Sequence, residues 1–258
     1  MSQKLNILLD LDEMCVSQRI GISKKEFDNF DMSNKKNKLE KHKLKFRYEF
    51  KSYENSVEKY EYVILLIRPN FRKLLKYLFD NHTVSVWTNA YYINAKQVCD
   101  IIFTPTQKNK LKYLIAANGD INAKPIIHGP YNIKTKQYLY NFNEIKSDRK
   151  DLSYLFNNKP YSNLFNPENT ILLDDAIRHY QFNKGNVIRV KEYHGEENDN
   201  IMEQVLEYLK NTKKLNTKKL KNFMLNTVKT TTKKSKRKNY DVHDGKKTKK
   251  KKINYINK

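Results

Sequence analysis

The strongest constraint on the fold comes from short apolar runs that each end in an acid or a hydroxyl. The runs are LNILL (5–9), TVSVW (83–87) and NTILL (169–173), and the residues that follow them are Asp10, Thr88 and Asp174. Runs of this length that carry apolar residues on both faces are typical of strands covered by helices on both sides. They therefore predict a buried sheet, largely parallel, with polar side chains at the ends of its strands.

Further strands and amphipathic helices fill the intervals between these runs. The spacing of apolar residues predicts strands at 62–67 and 187–190 and helices at 70–80, 91–102, 150–156 and 200–210, the last with a sequence that permits continuation to 225. Strands that alternate with helices predict an α/β domain. We place this domain at residues 1–210.

Two polar stretches interrupt the alternation. Residues 17–60 are rich in Lys, Asn and Glu and are predicted to be an insertion that contains a hairpin. Residues 104–148 carry several Pro and Gly and are predicted to be a second insertion, with strand-like pieces at 124–128 and 137–142. The aromatic residues between 46 and 62 are expected to cover the sheet, with a substrate platform as the alternative.

The basic charge of the chain is concentrated at its C-terminal end. The net charge is +23, of which residues 211–258 contribute +16. We predict that this Lys-rich tail passes from helical to disordered. Its clusters KKSKRK (233–238) and KKTKKKK (246–252) resemble nuclear-import signals and would also bind the phosphates of nucleic acid, so import and polyanion binding both remain open.

Composition excludes several classes of protein. Two cysteines cannot form a disulfide framework, and they are expected to be buried thiols. The longest early apolar runs are far shorter than a membrane span, and no secretory signal opens the chain. We therefore expect an intracellular protein without a membrane partner, for which the tail makes a nuclear location an option.

The acids at the predicted strand ends favour phosphoryl chemistry. Asp10 and Asp12 are two residues apart, so both can face one ligand, one attacking phosphorus and the other protonating the leaving oxygen. The pair Asp174–Asp175 would bring more negative charge to the same edge, which requires a cation such as Mg²⁺. The hydroxyl of Thr88 and an ammonium group would contact the phosphate oxygens.

Six segments, in order, resemble the motifs of haloacid-dehalogenase-type phosphatases, in the form found in RNA polymerase II CTD phosphatases and their NLI-interacting-factor-like relatives. They are NILLDLDEM (6–14), RPNFRKLLKYL (68–78), VSVWTNA (84–90), KDLSYL (150–155), NTILLDDA (169–176) and NKGNVIRV (183–190). The resemblance covers roughly residues 4–210. It implies a Rossmannoid parallel sheet flanked by helices and a phosphoserine or phosphothreonine segment of a protein as substrate.

The resemblance also implies a role for each site residue. Asp10 would be the nucleophile and a Mg²⁺ ligand, and Asp12 the general acid and base, with its backbone carbonyl on the metal. The remaining implied roles are phosphate contacts from Thr88 and Lys150, a metal ligand in Asp175, an orienting carboxylate in Asp174 and a supporting residue in Asn89.

Three positions depart from the family pattern. Met14 replaces the usual Thr of the first motif, Asn70 replaces Gly, and Ala176 replaces Ser. Two alternatives therefore stay open, a nucleic-acid 3′-phosphatase of the same fold and a catalytically poor phosphate-binding or polyanion-binding protein. His179 and His194 are predicted to lie on the surface.

Overall fold

The computed structural model describes residues 3–32, 39–51, 56–117, 150–183 and 185–212, together with four two-residue strands between 127 and 142. The strands are β1 (Asn6–Leu9), β2 (Val16–Ile22), β3 (Glu40–Lys51), β4 (Ser56–Ile67), β5 (Thr83–Tyr91), β6 (Leu114–Ala117), β7 (Ile127–His128), β8 (Tyr131–Asn132), β9 (Gln137–Tyr138), β10 (Asn141–Phe142), β11 (Thr170–Asp174) and β12 (Val187–Arg189). The helices are α1 (Lys24–Asn29), α2 (Phe71–Asn81), α3 (Tyr92–Ile102), α4 (Pro105–Lys110), α5 (Leu152–Asn157), α6 (Ile177–Phe182) and α7 (Ile201–Asn211).

A central sheet with the strand order β10-β7-β6-β5-β1-β11-β12 organises the domain. The five strands from β6 to β12 in this order are parallel, which confirms the predicted α/β fold. The register places Leu9 of β1 beside Val86 on one side and Leu173 on the other. The residues that follow these positions therefore meet at one edge of the sheet.

Alternating side chains of the sheet fill two apolar layers. Ile7 and Leu9 pack in the layer that contains the buried faces of α2, α3 and α7. Leu8 and Trp87 pack in the opposite layer with α5 and the segment around Tyr161. Each fully buried aliphatic side chain contributes about 1.5–3 kcal/mol to folding, so burial on both faces fixes the strands that carry the site.

The first insertion forms a separate antiparallel sheet with the order β2-β4-β3, in which β3 and β4 make the predicted hairpin. The run Tyr62–Ile67 is a buried strand, as predicted, but it is the end of β4 and lies in this sheet rather than in the parallel one. The two faces of this strand pack in different apolar clusters. Val63 belongs to the main core, and Ile64 belongs to a small cluster with Tyr193. Apolar periodicity reports such burial without identifying the partner strand.

The first part of the predicted second insertion contains a strand of the central sheet. Leu114–Ala117 is β6, which pairs in parallel with β5 and so belongs to the central sheet. Among the described residues further along this stretch, β7 and β10 extend the central sheet in antiparallel fashion, and β8 pairs with β9. A four-residue strand gives a weak pattern in the sequence, which is why β6 was not predicted.

The last described helix, α7, ends at Asn211, and its C-cap is Thr212. The predictions for the basic tail concern residues from 213 onward and lie outside the described residues. Within the described ranges, no helix combines the length and the apolar character needed to cross a bilayer.

Candidate active site

The polar residues at the carboxyl edge of the central sheet converge on one lysine. Lys150 is fully buried, and its ammonium lies 2.7 Å from Asp10 Oδ1 and 2.8 Å from Asp174 Oδ2. Burial alone would lower the pKa of Lys150, but the two carboxylates outweigh it and hold the pKa above its usual value. The lysine is therefore a permanent cation that joins the ends of β1 and β11.

Asp10 follows β1, and its carboxylate bonds to the main chain of the next residue. Oδ1 accepts a hydrogen bond of 2.8 Å from the amide of Leu11 in addition to the contact with Lys150. Burial raises the pKa of Asp10 to about 8; Lys150 opposes this shift and Asp174 adds to it. Burial is therefore the main reason that the pKa of Asp10 stays raised beside a cation, and the charge of Asp174 contributes less.

Asp174 is the best-satisfied acid of the site. Besides Lys150 it receives the amide of Ala176 at 2.8 Å, and His179 Nδ1 lies 2.8 and 2.9 Å from its two oxygens. Burial acts to raise the pKa of Asp174, but Lys150 and His179 outweigh burial and hold the pKa at about 2. With both oxygens engaged, Asp174 fits the predicted orienting role better than a metal-binding one.

The prediction that His179 lies on the surface was wrong. It is 1% exposed and contacts Asp174 from α6, five residues further along the chain. A single histidine in a polar helix gives no sequence signal of this burial. The burial of His179 can be inferred only once Asp174, which it contacts, is known to be buried.

Asp175 adds a third buried carboxylate. Oxygen atoms of Asp10, Asp174 and Asp175 all lie within 4.8 Å of one another. Burial, reinforced by the charge of Asp174, raises the pKa of Asp175 to about 6. Three carboxylates with one ammonium leave an excess of negative charge, and hard oxygen donors of this kind fit Mg²⁺. Because Asp174 is already engaged, Asp10 and Asp175 have the donor capacity.

Asp12 lies in the loop after Asp10 and accepts a hydrogen bond from the side chain of Gln18. Burial raises the pKa of Asp12, and Gln18 works against this shift. Its backbone carbonyl accepts the amide of Met14 at 2.6 Å. Glu13 between them has φ 57°, so the loop turns sharply here. Gln18 and this turn thus fix the position of the second carboxylate of the predicted pair, outside the cluster formed by Asp10, Asp174 and Asp175.

Thr88 and Asn89 lie on β5, next to β1. Thr88 is buried and its hydroxyl accepts the amide of Ala90 at 3.1 Å. Asn89 Oδ1 is also buried and has no hydrogen-bond partner among the described residues. In the described part of the chain neither residue bonds to the carboxylates. The structure therefore brings Asp10 and Lys150 together with the two acids at the end of β11, and Thr88 and Asn89 lie on β5 beside β1.

Arg68, which the sequence analysis did not assign to the site, fastens the loop after β1. The guanidinium donates to Met14 O at 2.9 Å and to Lys191 O at 2.7 Å, and pairs with Asp199 at 2.8 Å. Met14 itself is fully buried in the main core. An apolar side chain thus anchors the loop in the core at the position where the resemblance leads us to expect a threonine hydroxyl.

A cleft of about 280 Å³ opens beside Asp12, between the insertion sheet and β5. Among the residues that the structure describes, those that line the cleft include carboxylates but no lysine or arginine; they are Asp12, Glu13, Ser17, Gln18, Phe46, Glu61, Asn89, Ala90, Tyr91, Asn94 and His194. Phe46 is buried, as expected for a residue that covers the sheet, and His194 is exposed, as predicted. Cys15 and Cys99 are both buried, also as predicted.

Comparison with models of protein families identifies one family. A family model described as NLI interacting factor-like phosphatase matches residues 5–220. Among solved structures, Fcp1, an essential RNA polymerase II CTD phosphatase, is similar at 15% identity and a TM-score of 0.48, over 92% of this chain and 55% of that one. Fission yeast Fcp1 bound to beryllium fluoride is similar at 14% identity and a TM-score of 0.44, over 80% and 50%. The chain spans about half the length of these structures, and no curated protein sequence matches it.

Proposed function

The chain belongs to the NLI interacting factor-like phosphatase family, and we propose that it hydrolyses phosphate monoesters through an aspartyl-phosphate, with Mg²⁺ as its cofactor. The observation that carries the proposal is the buried lysine that joins Asp10 to Asp174 at the carboxyl edge of a parallel sheet. In open α/β sheets, chemistry gathers outside this edge.

In the proposed reaction, an oxygen of Asp10 forms a bond to phosphorus as the bond between phosphorus and the ester oxygen breaks. Asp12 gives its proton to the leaving oxygen, a task suited to a carboxyl whose pKa is raised by burial. Water then attacks phosphorus and loses its proton to Asp12, which releases phosphate and restores Asp10. Lys150 and Thr88 are proposed to hold the oxygens of the phosphate during both steps.

The residues proposed to hold Mg²⁺ are Asp10 and Asp175, with the backbone carbonyl of Asp12. Bound there, the ion supplies positive charge that offsets the repulsion between the phosphate and the nucleophilic carboxylate. The raised pKa values of Asp10 and Asp175 support this assignment, because burial, reinforced by the charge of Asp174, disfavours both carboxylates unless a cation is bound.

As substrate we propose a phosphorylated protein segment carrying phosphoserine or phosphothreonine. The cleft beside Asp12 supports a peptide, since Glu13 and Glu61 line it without a lysine or arginine among the lining residues. A nucleic-acid strand would bring a phosphate into the cleft at every nucleotide and meet repulsion there. The aromatic side chain of Tyr91, which is only partly buried, offers apolar contacts to a peptide instead.

The decisive measurement is phosphate release from p-nitrophenyl phosphate, with Mg²⁺ and with EDTA. Wild type should turn over only with the metal, and Asp10→Asn should abolish turnover. Asp80→Asn is the matched control, because Asp80 lies on the exposed side of α2 and pairs only at the surface with Lys76. Folded wild-type protein without turnover on this substrate, on phosphopeptides or on 3′-phosphorylated oligonucleotides would leave a phosphate-binding protein as the remaining reading.

The two substrate classes are separated by deleting residues 226–258. A phosphopeptide phosphatase should keep its kcat/KM on short peptides after the deletion. A nucleic-acid 3′-phosphatase should lose affinity for oligonucleotides and much of its dependence on salt. Faster turnover of oligonucleotides than of phosphopeptides by the full chain would overturn the peptide assignment.

A further inference from the structure

Lys150 has a backbone conformation that its own chemistry does not favour. Its φ of 45° lies in the left-handed region, which is unfavourable for a residue with a side chain. Conformations of this kind persist only where the surroundings hold them in place. The neighbours that contact Lys150 on its backbone and at its ammonium therefore decide where the ammonium lies.

The backbone at Lys150 is held by the end of α6. Asn183, the C-cap of that helix, donates from Nδ2 to Lys150 O at 2.9 Å. Its Oδ1 accepts the amide of Leu152 at 2.8 Å. One buried amide side chain thus bonds to the chain on both sides of Asp151.

The ammonium of Lys150 is held by the same helix through a second residue. His179 Nδ1 lies within 2.9 Å of both oxygens of Asp174, and Asp174 Oδ2 in turn lies 2.8 Å from Lys150 Nζ. Arg178 Nε donates to His179 Nε2 at 3.3 Å, which leaves Nδ1 as the donor to the carboxylate. The imidazole therefore fixes the rotation of the carboxylate that receives the ammonium.

We propose that His179 and Asn183 are positioning residues, through which α6 sets Lys150 onto Asp10. His179 acts through Asp174 on the ammonium, and Asn183 acts directly on the main chain. The inference rests on the proposed function, in which Lys150 contacts both the nucleophile and the phosphate. A displacement of a catalytic group by about 1 Å can lower a rate by about 100-fold.

The test compares His179→Leu, which removes the donor, with His179→Asn, whose amide can donate to Asp174 from a similar position. With p-nitrophenyl phosphate and Mg²⁺, we expect His179→Leu to lower kcat by about 10- to 100-fold. His179→Asn should recover most of the loss. KM should change by less than about threefold in both variants, because the phosphate keeps its other contacts.

Making His179→Leu in protein that already lacks Lys150 distinguishes a positioning role of His179 from a general contribution to the stability of the fold. In Lys150→Gln protein, His179→Leu should lower the residual rate by less than about threefold, since the group that it positions is gone. The matched control is His82→Leu, which removes another buried histidine that accepts the amide of Leu5 before β1. His82→Leu should lower the melting temperature and leave kcat unchanged.

Equal losses from His179→Leu in wild type and in Lys150→Gln would overturn the inference, as would no recovery by His179→Asn. An inactive wild type would instead refute the proposed function. In that case urea unfolding of wild type, His179→Leu, Lys150→Gln and the double variant still measures the coupling between the two residues. Positioning predicts that the effects of the two substitutions on the unfolding equilibrium differ from additivity by at least fivefold, and additivity within twofold would count against it.

Discussion

Replacing Asp10 with asparagine should stabilise the metal-free protein by an amount that grows with pH. The pKa of Asp10 is about 8 in the folded protein, against an ordinary value of 3.8. Between these values the folded wild type keeps a proton that the unfolded chain releases. In this range the free energy of unfolding of wild type therefore falls by about 1.4 kcal/mol for each unit of rising pH. The asparagine variant lacks this contribution, because asparagine does not titrate.

The size of the effect follows from this proton count. From pH 5 to pH 7, the free energy of unfolding of Asp10→Asn should gain about 3 kcal/mol on that of wild type. Asp175, whose pKa is raised to about 6, destabilises the folded state over the same range in both proteins, so most of its effect cancels in the difference. Asp174, with a pKa near 2, stays ionised throughout.

Urea unfolding in EDTA at pH 5, 6 and 7 measures this difference. Trp87, the single tryptophan, is fully buried in the central sheet and reports unfolding by its fluorescence. Asp80→Asn is again the control and should show no such slope. A difference between Asp10→Asn and wild type that stays constant from pH 5 to pH 7 would mean that Asp10 is already ionised, and the reasoning from burial would be refuted. Added Mg²⁺ should stabilise wild type and have little effect on the variant.

Three further predictions concern the loop, the helix start and the cleft. Arg68→Met leaves the buried carboxylate of Asp199 without its partner and should cost about 3–5 kcal/mol of unfolding free energy in urea, against less than about 0.5 kcal/mol for Lys76→Ala at an exposed pair. Asn70 precedes α2 with φ 62°, so Asn70→Val should lower stability by about 1–2 kcal/mol, whereas Asn70→Gly should change it by less than about 1 kcal/mol. Phosphopeptides with lysines beside the phosphoserine should have kcat/KM about tenfold above those with glutamates, and Glu61→Gln should narrow the gap; equal rates for both peptides would show that the acidic lining does not select substrates.

The sequence predicted which acids meet at the edge of the sheet, because the ends of neighbouring parallel strands lie side by side. Once LNILL and NTILL are taken as parallel neighbours, Asp10 and Asp174 must lie side by side, and the register of β1 and β11 confirms this. The identity of the lysine came from the family resemblance alone. No periodicity singles out Lys150 in a chain with so many lysines.

The sequence could not predict the partners of buried segments. Tyr62–Ile67 is apolar enough for either sheet, and its place in the insertion sheet is decided by pairing with β2 and β3. Arg68 and Asp199 are 131 residues apart, so only the folded chain shows that they form a pair. Burial is a property that local sequence encodes, whereas the choice of partner depends on the whole topology.

Two of the predicted site residues, Asp10 and Lys150, have features in the folded structure that oppose folding. A buried Asp10 with a pKa near 8 is a local conflict that an apolar residue would remove, and Lys150 adds an unfavourable backbone angle. Conflicts of this kind are expected at functional sites, where the rest of the core offsets their cost. His179 and Arg68 instead relieve the conflicts, by fixing Asp174 and the loop after β1. Residues that relieve a conflict have no pattern of their own, because each is defined by the charge or the carbonyl that it satisfies, and for that reason they became visible only in the structure.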